Sequence, residues 1–195
     1  MTPTKKKRRK DSVAKPRKQS RQTAGGKKAA ANPVNKKEKA MIEEGAVAPD
    51  FRVLGDDGKE IALSDFAGRR DVVLYFYPKA NTTGCTHEAQ EFRDLKKDFD
   101  KLGVAILGCS ADSVVAQAKF KANYRLNFTL LSDPEFKIIE AYGARRMKSF
   151  LGRSFLGIVR CTAWIGRDGK IRKTWPSVSA KGHAAEVLEA ISASR

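Results

Sequence analysis

The run Asp71-Val-Val-Leu-Tyr-Phe-Tyr77 constrains this chain more than any other segment. It is a continuous apolar stretch of β-branched and aromatic residues, the pattern of a buried strand. Pro78 stops it, because proline has no N–H to offer a ladder. A short polar loop follows. Then Ala89, Phe92, Leu95 and Phe99 recur at three- and four-residue steps with charges between them, which predicts a helix over residues 84–100. The strand-to-helix turn delivers a cysteine, Cys85, to the start of that helix.

The same reading extends along the chain. Two short strands, 49–54 and 59–63, flank the turn residues Gly55-Asp-Asp-Gly58, and Ser64–Gly68 reads as a capped turn. Residues 103–108 form a second buried strand, 113–123 a helix with Ser113 as N-cap, 128–131 a third strand, and 134–142 a helix with Pro134 near its first turn. Residues 144–157 are basic and contain glycine, as in a loop. A hairpin of 158–166 with 170–175 turns around Arg167-Asp-Gly169, and 184–192 closes the chain as a helix. Strands alternating with helices predict an α/β layered domain around a central sheet.

A helix start carries free N–H groups and a partial positive charge, and both favour a thiolate over a thiol. Thr82, three residues before Cys85, brings a hydroxyl that can donate to or accept from a substrate oxygen. Position alone does not separate this reading from that of a small buried hydrophobe, the commoner fate of an intracellular cysteine. Residue 88 is Glu, so there is no C-x-x-C pair and no dithiol chemistry between neighbouring cysteines.

The motif Pro78-x-x-x-Thr82-x-x-Cys85 resembles the active-site signature of the peroxiredoxins. The longer string YFYPKANTTGCTHEAQEFRD is similar to one branch, the peroxiredoxin Q or bacterioferritin comigratory protein group. Leu107–Ser113, Asn127–Pro134, Lys148–Gly152 and Gly157–Gly169 extend the resemblance in order and spacing over roughly residues 43–195. It implies a thioredoxin-like fold, a central mixed sheet flanked by helices with extra N-terminal strands, and a thiol peroxidase that reduces hydrogen peroxide and organic hydroperoxides. In that chemistry a thiolate attacks one peroxide oxygen, charge builds on the other, and donors held there stabilise the transition state. The resemblance makes Cys85 the nucleophile and Thr82 the side-chain donor to the peroxide. Pro78 shapes the loop and shields the sulfur, and Arg160 in Gly-Ile-Val-Arg-Cys-Thr is the active-site cation, on a strand with aliphatic neighbours. Arg93 reads as an ion-pair partner, and His87 as an exposed residue of the helix's first turn.

Many members of the group carry a resolving cysteine five residues after the first. Here that residue is Gln90, which leaves only Cys109 and Cys161. Both fall in predicted strands, and alternation turns Cys161 to the face opposite Arg160. Both are expected to be packed. The expectation is a one-cysteine enzyme whose sulfenic acid is reduced by an external thiol such as thioredoxin, with no cofactor and no metal.

The first aromatic residue is Phe51. Residues 1–40 hold 15 Lys/Arg against Asp11 and Glu38, +13 of the chain's +17. Such a segment cannot bury enough apolar surface to offset its ordering entropy. The expected division is a disordered basic tail over 1–42 and the peroxiredoxin domain over 43–195. The tail can hold DNA or RNA non-specifically through residues 1–40, or, in PTKKKRRK, act as a nuclear-import signal. No aromatics interleave its charges, so base stacking is not supported. There is no 18-residue apolar run and no apolar core of a signal peptide, so no membrane association is expected. Three cysteines do not make a secreted disulfide framework. These features suit an intracellular enzyme, cytoplasmic with nucleoid association in a bacterium or nuclear in a eukaryote, and a monomer or weak dimer. The competing reading is a nucleic-acid-associated redox sensor or chaperone on a peroxiredoxin fold.

Overall fold

Strand pairing organises the chain around Asp71–Phe76 (β3), as the apolar run requires. The computed structural model describes residues 40–150 and 152–195, so the expected tail lies outside the described residues up to position 39. Arg52–Gly55 (β1) and Glu60–Ala62 (β2) pair antiparallel, and a single 3-10 turn, Leu63–Phe66, leads into β3. Thr83–Lys101 (α1) follows, then Val104–Ser110 (β4), Val114–Tyr124 (α2), Thr129–Ser132 (β5) and Lys137–Ala141 (α3). Arg145–Phe150 (β6), Arg153–Ile158 (β7), Cys161–Ile165 (β8), Ile171–Trp175 (β9) and His183–Ser192 (α4) complete the order.

Seven strands form one mixed sheet in the order β2-β1-β5-β4-β3-β8-β9, in which β3, β4 and β5 run parallel and β8 and β9 antiparallel. Every residue of β3 is buried, and its side chains alternate between two cores. Val72, Leu74 and Phe76 pack with Ile138, Ile139 and Tyr142 beside α3, whereas Val73 and Tyr75 pack with Phe92 and Phe99 of α1 and with Val187 and Ile191 of α4. A strand with both faces covered has no polar alternation to show, which is why the sequence reads as an unbroken apolar run. The arrangement is the thioredoxin-like α/β fold.

Several expectations need correction. Residues 144–157 are not an irregular loop. They make the ribbon β6–β7, paired from Arg145↔Ile158 to Phe150↔Arg153 and separate from the main sheet. Residues 153–156 of β7 are exposed, so no buried face imprints an apolar alternation on the sequence. The predicted helix over 134–142 shrinks to α3, because Phe136 takes a left-handed φ of 60° and the Asp133 carboxylate accepts from the N–H groups of Lys137 and Ile139. The strand expected from 158 begins at Cys161, where the chain steps from the ribbon into the main sheet, and Arg160 occupies that step instead of a strand.

Met41 and Ile42, counted with the tail in the sequence, belong to the folded unit. Met41 is buried in the α3-side core and Ile42 N donates to Tyr142 O at 3.2 Å. Gly143 makes this docking possible: its φ is +71°, and a Cβ there would be driven into the carbonyl of Ala40. No helix among the described residues is long and apolar enough to cross a membrane.

Candidate active site

Cys85 is the third residue of α1, with Thr82 as N-cap in extended conformation. The first N–H groups of a helix have no intrahelical acceptor, so those of Thr83, Gly84 and Cys85 are left free at the end of α1 that carries the sulfur. The loop that carries them is braced from beneath. Tyr77 N donates to Cys109 O at 3.1 Å, and Ala80 N donates to Asp112 Oδ2 at 2.8 Å. Asp112 is itself held by the Ser110 hydroxyl at 2.8 Å, and the Tyr77 hydroxyl reaches Gln117 Oε1 at 2.5 Å. Pro78 sits half-buried between these anchors.

The side chain of Arg160 crosses to this helix start. Its Nη2 donates to Cys85 Sγ at 3.2 Å, and its Nη1 donates to Glu88 Oε2. Cys85 is 2% exposed and Glu88 fully buried. Burial alone would lower the guanidinium pKa, but the Glu88 carboxylate and the Cys85 sulfur outweigh it and hold it above its ordinary value. A cation is thus fixed beside the sulfur, at the free N–H end of α1. The C-terminal wall is close by: Val178 N donates to Arg160 O at 3.1 Å, and a Cβ on Gly84 would lie 3.5 Å from Arg160 Nη2 and 3.7 Å from Ala180 Cβ.

The structure brings Cys85 and Arg160 into contact, with Thr82 at the N-cap and Pro78 in the loop before it. The Thr82 hydroxyl is exposed and donates to Lys79 O at 3.0 Å, so it offers a substrate its lone pairs, as a hydrogen-bond acceptor, and not the donated O–H that the resemblance implies. Arg93 serves structure, pairing with Asp94 at 2.8 Å and donating to Tyr124 O at 2.8 Å. His87 is exposed and lies 3.1 Å from Glu91. His183 is buried between Phe92 and Trp175 with Nε2 2.8 Å from the Thr162 hydroxyl, and burial lowers its pKa.

Sequence reasoning does not single out Glu88 as a functional residue. A signal for it exists: it lies three residues after Cys85, on the helix face that buries Cys85, Ala89, Phe92 and Phe99. Burial pushes its carboxyl up to about 7, with Arg160 pulling the other way and Glu91 adding to the rise. Its Oε1 has no hydrogen-bond partner.

Cys109 and Cys161 both lie across the sheet from Cys85, in the α3-side core. Each is register partner to Phe76, one from β4 and the other from β8. Two strand spacings, about 10 Å, therefore separate them, beyond the roughly 7 Å that a disulfide spans. Burial pushes the Cys161 thiol up to about 12 and that of Cys109 well above its usual range. Among the described residues, no group of three or more His, Cys, Asp or Glu side chains is placed to hold a metal ion.

Comparison with known proteins gives a consistent result. The AhpC/TSA family model matches residues 45–174. A putative peroxiredoxin bcp of Coxiella burnetii is 46% identical over 147 residues, covering 75% of this chain and 97% of the relative. Peroxiredoxin Bcp of Bacillus subtilis is 43% identical over 150 residues, covering 77% and 95%. Among solved structures, Xanthomonas campestris peroxiredoxin Q superposes with a TM-score of 0.72 at 36% identity, over 79% of this chain and 97% of that one. A structure of the X. campestris bacterioferritin comigratory protein, from trapped intermediate and ligand complexes bearing on its alkyl peroxide reduction activity, gives a TM-score of 0.73 at 35% identity over 80% and 99%.

Proposed function

The chain belongs to the AhpC/TSA family, and on that footing we propose that it works as a one-cysteine peroxidase in which Cys85 attacks, Arg160 and Thr82 position and stabilise, and an external thiol regenerates the enzyme. It is a thiol peroxidase, an oxidoreductase of the peroxiredoxin Q/Bcp group. The contact of Arg160 Nη2 with Cys85 Sγ at 3.2 Å carries the assignment of the site.

The Cys85 thiolate attacks one oxygen of ROOH. The S–O bond forms as the O–O bond breaks, and the electron pair leaves on the distal oxygen, which takes a proton and departs as ROH. Arg160 and the free N–H groups of the first turn of α1 face that negative charge, which a solvent proton neutralises, while the Thr82 oxygen accepts a hydrogen bond from the peroxide O–H, whose hydrogen stays on the oxygen bound to sulfur. Pro78 keeps the loop closed against the sulfur. The product is a sulfenic acid at Cys85. An external thiol, of the thioredoxin-like class that reduces peroxiredoxins, then attacks the sulfenic sulfur and releases water. A second thiol resolves the mixed disulfide and restores Cys85. Cys109 and Cys161 take no part, because both are packed on the other face of the sheet.

Intact mass of the peroxide-treated protein tests this. A gain of one oxygen, absent in Cys85→Ser and retained in Cys109→Ser and Cys161→Ser, is the expected result. A loss of two hydrogens, or loss of thioredoxin-supported turnover in either of the latter variants, would show an internal resolving cysteine and refute the one-cysteine reading. The alternative of a nucleic-acid-associated redox sensor or chaperone on a peroxiredoxin fold is not favoured by a chain whose relatives are peroxiredoxins.

Three further assignments complete the reading. Residues 1–40 tether the enzyme to polyanions through their +13 charge. The enzyme works inside the cell, at the nucleoid in a bacterium or in the nucleus of a eukaryote. It acts as a monomer or weak dimer, for which sedimentation at two concentrations is the check.

A further inference from the structure

A cationic groove of about 720 Å3 lies between the β8–β9 turn and the last turn of α4, remote from the peroxidase site. Asp71, at the start of β3, is part of its wall, whereas the loop bearing Pro78 and Cys85 leaves the strand's other end. Five residue steps of β3 separate the two ends, about 17 Å. Four of the groove's side chains are cations, Arg167, Arg172, Lys173 and Arg195, and Asp71 is its one acid.

Asp71 organises the wall without neutralising it. Its carboxylate accepts from Arg167 N at 3.0 Å, Trp164 Nε1 at 3.2 Å and Arg195 Nη2 at 3.2 Å, with Arg167 Nε at 3.6 Å. One negative charge therefore faces two guanidiniums. Arg172 pairs with Asp168 at 2.9 Å, both half exposed, and Lys173 lies 5.1 Å over the Trp175 ring, a contact that leaves its charge intact. Counting side chains, four cations against Asp71 and Asp168 leave +2 here, half of the side-chain +4 carried by residues 41–195. The Gly68 N–H donates to Arg167 O at 2.8 Å, so exposed Arg69 continues the same edge.

We propose that this groove binds the phosphodiester backbone of nucleic acid, docking the enzyme by the end of the sheet opposite Cys85 and leaving the peroxide site free. The groove is open and its cations are spread along a turn and an edge strand instead of converging on one point. That layout suits a polymer with a negative charge every few ångströms better than a single phosphate. Nothing in it reads bases. The Trp164 indole is buried and its N–H is given to Asp71, so the groove positions the protein without sequence preference. No residue of the tail and none of the peroxidase site takes part, so failure of the groove to bind would leave the proposed function standing.

The test uses the full-length chain and labelled DNA duplexes of two unrelated sequences, with binding followed over a salt series. Arg172→Gln with Lys173→Gln is the first variant, because neither side chain touches Asp71. It should reduce the slope of log K against log[salt] by about 0.9 for each phosphate left without its cation, close to two for the pair, equally for both sequences and with peroxide turnover unchanged. In the wild-type protein, duplex DNA should protect Lys173 from acetylation. An unchanged salt slope, or Lys173 acetylated equally with and without DNA, overturns the proposal. So does protection of Lys173 by ATP or by polyglutamate as effective as that by DNA at matched charge, which would make the groove a small-anion or acidic-protein site.

Discussion

Replacing Glu88 by Gln should change how stability depends on pH, by an amount the structure sets. Glu88 is fully buried, accepts from Arg160 through one oxygen and leaves the other without a partner. Burial, only partly opposed by Arg160, pushes its carboxyl from 4.5 up to about 7. The folded state therefore holds the proton more tightly than the unfolded chain. The associated stability is fully present below pH 4.5 and is lost as pH rises through 7. A shift of this size corresponds to about 3 kcal/mol. Gln has the same shape, keeps an oxygen for Arg160 and does not titrate. It leaves Arg160 without a counter-charge, but that offset does not vary with pH across this window. Between about pH 4 and pH 8 the variant should therefore gain about 3 kcal/mol on the wild type. Urea unfolding at one-unit pH intervals measures it, in a Cys85→Ser background so that oxidation of the thiol does not intrude. Two stability–pH curves running parallel across the window would refute the argument that Glu88 is held protonated by burial.

Three other outcomes follow from the same geometry. Arg160→Met should slow the stopped-flow reaction with peroxide by ~10²–10³, the range for loss of one oxyanion donor, and Thr82→Val, which removes a hydrogen-bond acceptor for the peroxide, by about tenfold; a wild-type rate in Arg160→Met would remove it from the site. Gly143→Ala should destabilise the fold by more than the roughly 1–2 kcal/mol cost of a left-handed non-glycine residue, because the new methyl group also displaces Ala40; a thermal midpoint equal to that of the wild type would mean that residues 40–42 are not docked. Deleting residues 1–39 should leave peroxidase turnover nearly intact and remove most DNA affinity, leaving a weaker component from the Arg172–Lys173 groove; full affinity in the truncated chain would place all nucleic-acid binding on the folded domain.

How far the sequence can be read depends on which residues sit in a core with two covered faces. The central run Asp71–Tyr77 and the α1 stripe of Ala89, Phe92 and Phe99 are legible because burial dictates their composition. The β6–β7 ribbon is not, since Met147, Phe155 and Leu156 are about half exposed and no core enforces a period on them. The site divides the same way. Cys85 and Thr82 share one turn, so local spacing exposes them. Arg160 stands 75 residues from Cys85 and is reached only through the family resemblance. Glu88 registers in the sequence as the absence of a second cysteine and as an acid on the apolar face of α1, which marks its burial but not its partner. Its role depends on an arginine that arrives from the step between β7 and β8, and no pattern within α1 reveals that partner. Once the two meet, each explains the other's burial. An unpaired arginine or glutamate at this depth would be costly, and the pair holds its positive end against the sulfur. Removing Glu88 therefore frees a cation as well as a proton, which is why the pH dependence, and not the stability at any single pH, isolates what the carboxylate does.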